Sequence, residues 1–477
     1  MGRFVNPNNN SFQVALNSPI YVDKTGLIAY TNSVLATMQG YICNSRPRRF
    51  GKSYAANMLT AYYSRGCDSE AMFAGLEISK SADFKKHLNK YDVIHIDVQC
   101  FLANCADAAH VVAYITSSIL AELREIYPAA LPAEVSHLSD ALSRIREKTG
   151  QKFIIIIDEW DALIRDPAAN SQVQDSYITF LRSMFKGTEP TKYILLAYLT
   201  GILPLRKEKS QSGLNNFDEF TMLSASRLAP YMGFTEVEVK KLTERYHQNF
   251  GEVKNWYNGY LLKDTQVYNP RAIVSAMLHG DFKNYWAETA SSDAIVPLIS
   301  MNYDGLQFAI IEIISGAAVK VDTAVFTNDP SSIASKDDVL TYMIHLGYLG
   351  YNQNRKTAFV PNEEIRQELT MAVESKRWNE MITFQQESER LLDATLDTDG
   401  AAVAAQIEKI HHEYTSVIQY HNENSLSSVL TIAYLSAMQY YFKPIRELPT
   451  GRGFADFVFV PKPEYRNDYP ALIVELK

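Results

Sequence analysis

From Gly40 to Leu199, short apolar runs rich in β-branched residues alternate with stretches whose apolar positions recur every three or four residues. That alternation predicts an α/β domain, a parallel sheet with helices on both faces. Strands are expected at Gly40–Cys43, Val93–Val98, Phe153–Ile157 and Ile194–Leu199, and helices at Ser53–Tyr63, Ala106–Ile126, Glu134–Glu147 and Val173–Phe185. The run Ile154-Ile-Ile-Ile157 is apolar on both faces, as a strand in the middle of a covered sheet must be.

Beyond Leu223 the texture changes to short helices rich in aromatic residues, including Trp256-Tyr-Asn-Gly-Tyr260 and Tyr285-Trp286. Helical periodicity resumes at Leu306–Ile314. Thr341–Leu349 followed by Tyr351 to Pro361 predicts a helix and hairpin of winged-helix type. A long helical segment from Asn362 to His421, broken near Asp397–Gly400, is followed by a helix at Leu426–Tyr441 and strands at Gly453–Val460 and Ala471–Lys477.

With 477 residues the chain has length for about three domains. The changes of pattern put them at 1–222, 223–365 and 366–477. A hydrophobic share of 47% supplies real cores, and a formal net charge of -8 excludes wholesale coating of nucleic acid while leaving a local basic groove open. Cys43, Cys67, Cys100 and Cys105 lack the spacing of a zinc site or a disulfide framework, so they read as thiols in a reducing compartment. There is no apolar run of membrane-spanning length and no signal-like start, so a cytoplasmic protein with no membrane association is expected.

Two segments carry chemistry. Arg46-Pro-Arg-Arg-Phe-Gly-Lys-Ser53 follows an apolar strand and opens a helix, the setting a phosphate-binding loop requires. Gly51 permits close backbone approach, Lys52 can reach β and γ phosphates, and Ser53 can ligate magnesium. The usual opening glycine is replaced by Arg46. No acidic residue occurs between Thr25 and Cys67, so Arg46, Arg48, Arg49, Lys52 and Arg65 form a basic cluster at a helix start, as an anion site would. Downstream, Ile154-Ile-Ile-Ile-Asp-Glu-Trp-Asp161 ends a buried strand in carboxylates. Asp158 is placed to hold magnesium and Glu159 to orient an attacking water. Thr200, ending the strand Tyr193–Leu199, would sit beside Asp158 if that strand neighbours the loop strand, and could sense the γ phosphate. His95 and Asp97 share one face of another strand and read as core or supporting residues.

Together with Tyr21-Val-Asp-Lys-Thr25, Thr200-Gly201, Trp256-Tyr-Asn-Gly-Tyr260 and Tyr268-Asn-Pro270, these motifs resemble the predicted AAA-ATPase-like family over roughly residues 5–290. In that family an arginine-rich loop is the normal form, so Arg46 and Arg49 are counted with Gly51, Lys52, Ser53, Asp158 and Thr200 as expected nucleotide contacts. The resemblance implies a P-loop NTPase sheet, with ATP and Mg2+ as cofactors. Members often carry a C-terminal nuclease-like domain of the PD-(D/E)XK superfamily, and this chain ends in a similar pattern. Gly451-Arg-Gly-Phe-Ala-Asp-Phe-Val-Phe-Val460 precedes Leu472-Ile-Val-Glu-Leu-Lys477. There Asp456 and Glu475 would share a divalent ion and Lys477 would activate a water, with Glu423 a further acidic candidate. The restriction-endonuclease-like α/β core normally continues past the lysine, so this copy is expected to be truncated, which puts cleavage in doubt.

The reading that follows is an ATPase coupled to a metal-dependent nuclease-like module, with DNA or RNA as partner. A nucleotide-dependent switch or scaffold whose C-terminal domain only binds a partner is the alternative, and self-association remains open.

Overall fold

The computed structural model describes residues 2–105, 107–205, 213–287, 295–301, 303–375, 379–414, 433–442, 444–449, 454–463 and 465–475. Two compact units emerge, one formed by Met1–Tyr285 with Asp322–Gln353, the other by Trp286–Val321 with Asn354–Lys477. No helix among the described residues is long and apolar enough to cross a membrane.

The first unit begins with helices α1 (Asn10–Leu16) and α2 (Gly26–Val34), strand β1 (Tyr41–Ser45) and helix α3 (Lys52–Tyr63). Strand β2 (Asp92–Asp97), helices α4 (Val111–Ile126) and α5 (Leu138–Thr149), and strand β3 (Phe153–Asp158) follow. A short helix α6 (Ala162–Arg165), helix α7 (Ser171–Phe185), and strands β4 (Ile194–Gly201) and β5 (Asp218–Phe220) complete a five-stranded parallel sheet in the order β2-β3-β4-β1-β5. Strand geometry splits its side chains between the two faces. Ile154, Ile156, Leu196 and Tyr198 pack against Phe12, Leu27, Ile28, Leu59 and Tyr62 from α1 to α3. Ile155, Ile157, Ala197 and Leu199 pack against Ile119, Leu123, Leu142 and Leu181 from α4, α5 and α7. Both faces are covered, which explains why β3 has no exposed residue.

After β5 the chain builds a small antiparallel sheet, order β6-β8-β7, from β6 (Phe234–Thr235), β7 (Tyr260–Leu262) and β8 (Thr265–Tyr268). Helices α8 (Glu236–Tyr246), α9 (Phe250–Tyr257) and α10 (Pro270–His279) bury Val239, Val253, Tyr257, Ile273 and Ala276 beside it. Their starts are written in the sequence. Thr235 and Glu238 form a reciprocal capping box, while Asn249 and Asn269 cap α9 and α10.

The second unit opens with α11 (Leu306–Ile314) and β9 (Val319–Lys320). Helix α12 (Lys336–Leu346) and β10 (Gly350–Asn352) return to the first unit. The second then resumes with β11 (Thr357–Phe359), α13 (Glu363–Ser375), α14 (Asn379–Leu396) and α15 (Gly400–Tyr414). The expected break at Asp397–Gly400 separates α14 from α15, with Thr398 in the left-handed region at φ 59°. A three-stranded antiparallel sheet of β12 (Ile445–Pro449), β13 (Phe454–Phe459) and β14 (Leu472–Val474) closes the unit. Its core joins Leu391, Leu392, Tyr434, Tyr441, Phe457 and Phe459.

Candidate nucleotide site

The carboxyl ends of the parallel strands form one row. Asp97 pairs in register with Asp158, Asp158 with Thr200, and Thr200 with Asn44. Crevices outside the carboxyl ends of parallel strands are where ligands of open α/β sheets bind. Strand β4 lies between β1 and β3, and Thr200 therefore occupies the expected place beside Asp158.

The loop from Arg46 to Gly51 leads from β1 into α3. Arg49 and Gly51 both adopt left-handed backbone, φ 70° and 89°, which turns the chain sharply enough to start a helix at once. A Cβ on Gly51 would meet nothing within 4 Å, so the glycine is required by its φ rather than by crowding. The start of this three-turn helix presents backbone N–H groups without intrahelical partners. Phe50 is buried, its carbonyl accepts from the Gly233 N–H at 2.8 Å, and its ring stands edge-on to Tyr260 at 5.2 Å. Those contacts seat the loop on the small antiparallel sheet.

Lys52 is 4% exposed; its Nζ donates to the Pro47 carbonyl at 3.2 Å and lies 3.3 Å from Glu159 Oε1. Ser53 is exposed and hydrogen-bonds the Asp158 carboxylate. Burial pushes the Asp158 pKa up to about 6, with the negative charge of Glu159 adding to the rise and the Ser53 hydrogen bond and Lys52 opposing it. Glu159 carries a positive φ of 49°, and its N–H donates to Asp158 Oδ1 at 3.0 Å. Lys52, Ser53, Asp158 and Glu159, far apart in the sequence, are thus brought together.

The remaining expected contacts are placed differently. Arg46 is fully buried; its N–H donates to the Gly201 carbonyl at 2.9 Å, and its Nη1 donates to Ser45 O at 2.7 Å and Phe220 O at 2.9 Å. Burial draws its pKa down to about 10. It does not line the cavity, whereas Arg48 and Arg49 do. Thr200 is also buried and donates its hydroxyl to the Asn44 carbonyl at 3.0 Å, joining β4 to β1. Trp160 and Asp161 anchor the turn after β3. The indole donates to Leu203 O at 3.1 Å, and the Asp161 carboxylate accepts from the Ile202 and Leu203 N–H groups. A Cβ at Gly201 would collide with both side chains, which accounts for the glycine after Thr200.

A cavity of about 820 Å3 opens over the loop. Its lining combines Arg48, Arg49, Gly51, Lys52, Ser53, Glu159 and Arg165 with the apolar Ile20, Val22, Phe234 and Val274. Sequence reasoning missed Arg165, Arg271 and the apolar lining residues, because nothing in their spacing announces them. It found no role for Tyr21-Val-Asp-Lys-Thr25. That segment also lines the cavity, through Tyr21, Val22 and Lys24. Asp23 accepts from the Thr25 N–H and hydroxyl and from the Glu77 N–H, while Lys24 bridges to the Pro230 carbonyl at 2.8 Å and to Glu238 at 2.6 Å.

In the second unit Asp456 lies on β13, and the register Phe457↔Val474, Val458↔Ile473, Phe459↔Leu472, carried one step further, sets it opposite Glu475. Lys477 and Glu423 lie outside the described residues. Among the described residues no three His, Cys, Asp or Glu side chains gather where they could hold a metal ion.

Residues 10–210 match the model of the AAA-ATPase-like family, described as predicted AAA-ATPase. That stretch, which includes the loop, Asp158, Glu159 and Thr200, is similar to the family. An uncharacterized protein in the vnfD 5′ region of Azotobacter chroococcum mcd 1 is 25% identical over 289 residues, 59% of this chain and 52% of that protein. The chain therefore spans about half the length of this curated relative. Among solved structures, the ORC2 protein of Aeropyrum pernix in its ADPNP–ADP complexes aligns at a TM-score of 0.32 and 12% identity, over 75% of this chain and 97% of that one. A DNA replication initiation factor aligns at a TM-score of 0.26 and 11% identity, over 88% and 97%.

Proposed function

We propose that the chain binds ATP with magnesium in the cavity above the loop and hydrolyses it. The observation that carries this reading is the meeting of Lys52 and Ser53, at the start of α3, with Asp158 and Glu159, at the end of β3. The residues fit such a ligand. Asp158 is a buried carboxylate whose pKa is raised to about 6, so a cation beside it would relieve a real electrostatic cost. The loop contributes Arg48, Arg49 and Lys52 to the cavity lining, a surplus of positive charge that suits phosphates.

When bound, ATP with magnesium supplies the transferable phosphoryl group and the ion that neutralises its developing charge. Lys52 leaves Glu159 for the phosphates, and the N–H groups opening α3 receive the same oxygens. Ser53 and Asp158 would hold the ion through their oxygens, the donor type magnesium prefers. Glu159 accepts a hydrogen bond from the attacking water and aligns it. Arg46 and Thr200 act beneath this layer by fixing the strands that carry the loop. Glu159→Gln is expected to keep ATP binding and to lower turnover by about a hundredfold or more. Phosphate release measured beside calorimetric binding checks this, and undiminished release by the variant would refute the role.

The finer reading is that this ATPase serves a metal-dependent nuclease-like region acting on DNA or RNA, with Asp456 and Glu475 sharing an ion and Lys477 beside them. Cross-strand register supports the Asp456–Glu475 pairing. A nucleotide-dependent switch whose C-terminal region only binds a partner is the competing reading. ATP turnover that nucleic acid does not stimulate, with no cutting under magnesium or manganese, would select the switch.

A further inference from the structure

Glu159 is held from two sides. Lys52 Nζ lies 3.3 Å from Oε1, and Arg165 Nη2 lies 2.9 Å from Oε2. The two cations have different futures. Lys52 belongs to the loop and faces the place proposed for phosphates. Arg165 sits on α6 and is fixed from behind: its Nε donates to Asp161 Oδ2 at 2.7 Å, and the Leu203 N–H donates to that same oxygen at 2.8 Å. Asp161 is fully buried and Arg165 only 12% exposed, so this is no solvated surface pair whose ions wander. A guanidinium can serve both carboxylates at once because its donors form a planar fork. The end of β4 thus fixes Asp161, Asp161 fixes Arg165, and Arg165 fixes one oxygen of Glu159.

We infer that Arg165 is a positioning residue for ATP hydrolysis, acting through Glu159. When phosphates draw Lys52 away, Oε1 is released to receive the water while Oε2 stays on Arg165, so the carboxylate keeps its aim. Glu159 also has left-handed backbone, φ 49°, a region that non-glycine residues populate sparingly. The inference rests on the proposed hydrolytic role of Glu159 and extends it to a residue that acts through Glu159.

The test compares single-turnover hydrolysis and ATP affinity in the full chain for wild type, Arg165→Ala, Arg165→Lys, Glu159→Gln and the Glu159→Gln/Arg165→Ala double variant. Arg165→Ala is expected to lower the rate constant by about ten- to a hundredfold, the cost of a misaimed catalytic group, while the dissociation constant moves by less than about threefold. Arg165→Lys keeps the charge and recovers part of the rate, since an ammonium cannot hold Asp161 and Glu159 with the same geometry. In the Glu159→Gln background, removing Arg165 changes the residual rate by less than about twofold, because residues acting as one unit are not additive. Should Arg165→Ala fail to fold in a thermal scan, the lysine variant and its rate decide. Normal turnover in folded Arg165 variants, or affinity falling in step with rate as for a phosphate ligand, would overturn the inference. The two readings separate cleanly. If Glu159→Gln hydrolyses like wild type, the proposed function falls and this inference with it; if Glu159→Gln is inactive while the Arg165 variants are normal, only the inference falls.

Discussion

Arg46 carries its charge into the interior, where Nη1 donates to two carbonyls, Ser45 O and Phe220 O, while the main-chain N–H donates to Gly201 O. Buried guanidinium is costly, and the drop of its pKa to about 10 measures that cost in direction. The yield of the side chain is structural, tying the end of β1 to β5. Arg46→Ala should therefore destabilise the protein by about 2–4 kcal/mol, from a cavity and two abandoned carbonyls. It should leave the ATP affinity of the folded variant within about threefold. Urea unfolding and calorimetry check both halves, and a large affinity loss without a stability loss would contradict the structural role. At this scale the sequence makes charge legible and burial illegible. Arg46 and Lys52 look alike in a basic run, yet one points into the sheet and the other toward Glu159.

Elements were legible where the pattern is long. The period-two and period-3.6 signals located β1 to β4, α3 and α7 within a few residues, because each buries a full face. Strand β5 is three residues, two of them exposed acids, and β6 to β8 are two to four residues each, too short to show any period. The small sheet that seats Phe50 was for that reason invisible, and with it the wall that carries Phe234 and Arg271. One joint between elements can be probed by pH. His95 on β2 meets the Thr60 hydroxyl of α3 at 2.9 Å, and burial draws its pKa down to about 4, below the ordinary value near 6.5. A base kept neutral in the folded state binds fewer protons there than when unfolded. Its contribution is complete above pH 6.5 and is lost as pH falls from about 6.5 toward 4, by about 2 kcal/mol after allowing for partial exposure. His95→Gln should flatten that part of the stability profile in denaturant unfolding; an unchanged slope would contradict the assignment.

The whole molecule is acidic, with a net charge of -8, yet among the described residues its cavity is lined by Lys24, Arg48, Arg49, Lys52, Arg165 and Arg271 against the single acid Glu159. Such local reversal concentrates small anionic ligands in one place. Any nucleic-acid chemistry must then be concentrated at a particular patch. For the Asp456 and Glu475 pair the expectation is that Asp456→Ala abolishes manganese-dependent cutting of a labelled duplex or single strand and leaves ATP turnover within about twofold. Cutting that persists in the variant would remove Asp456 from any such site. Composition bounded the chain's size and charge well, but the gathering of charge into a cavity depends on which residues a fold brings together, and no count shows that.

The claim on which the rest depends is that Lys52 binds the phosphates of ATP. Calorimetric titration of wild type and Lys52→Ala with magnesium ATP tests it most directly. Wild type should give a saturable heat and the variant at least about a hundredfold weaker binding, as loss of a charge-assisted contact implies; equal affinity in the two proteins would contradict the claim.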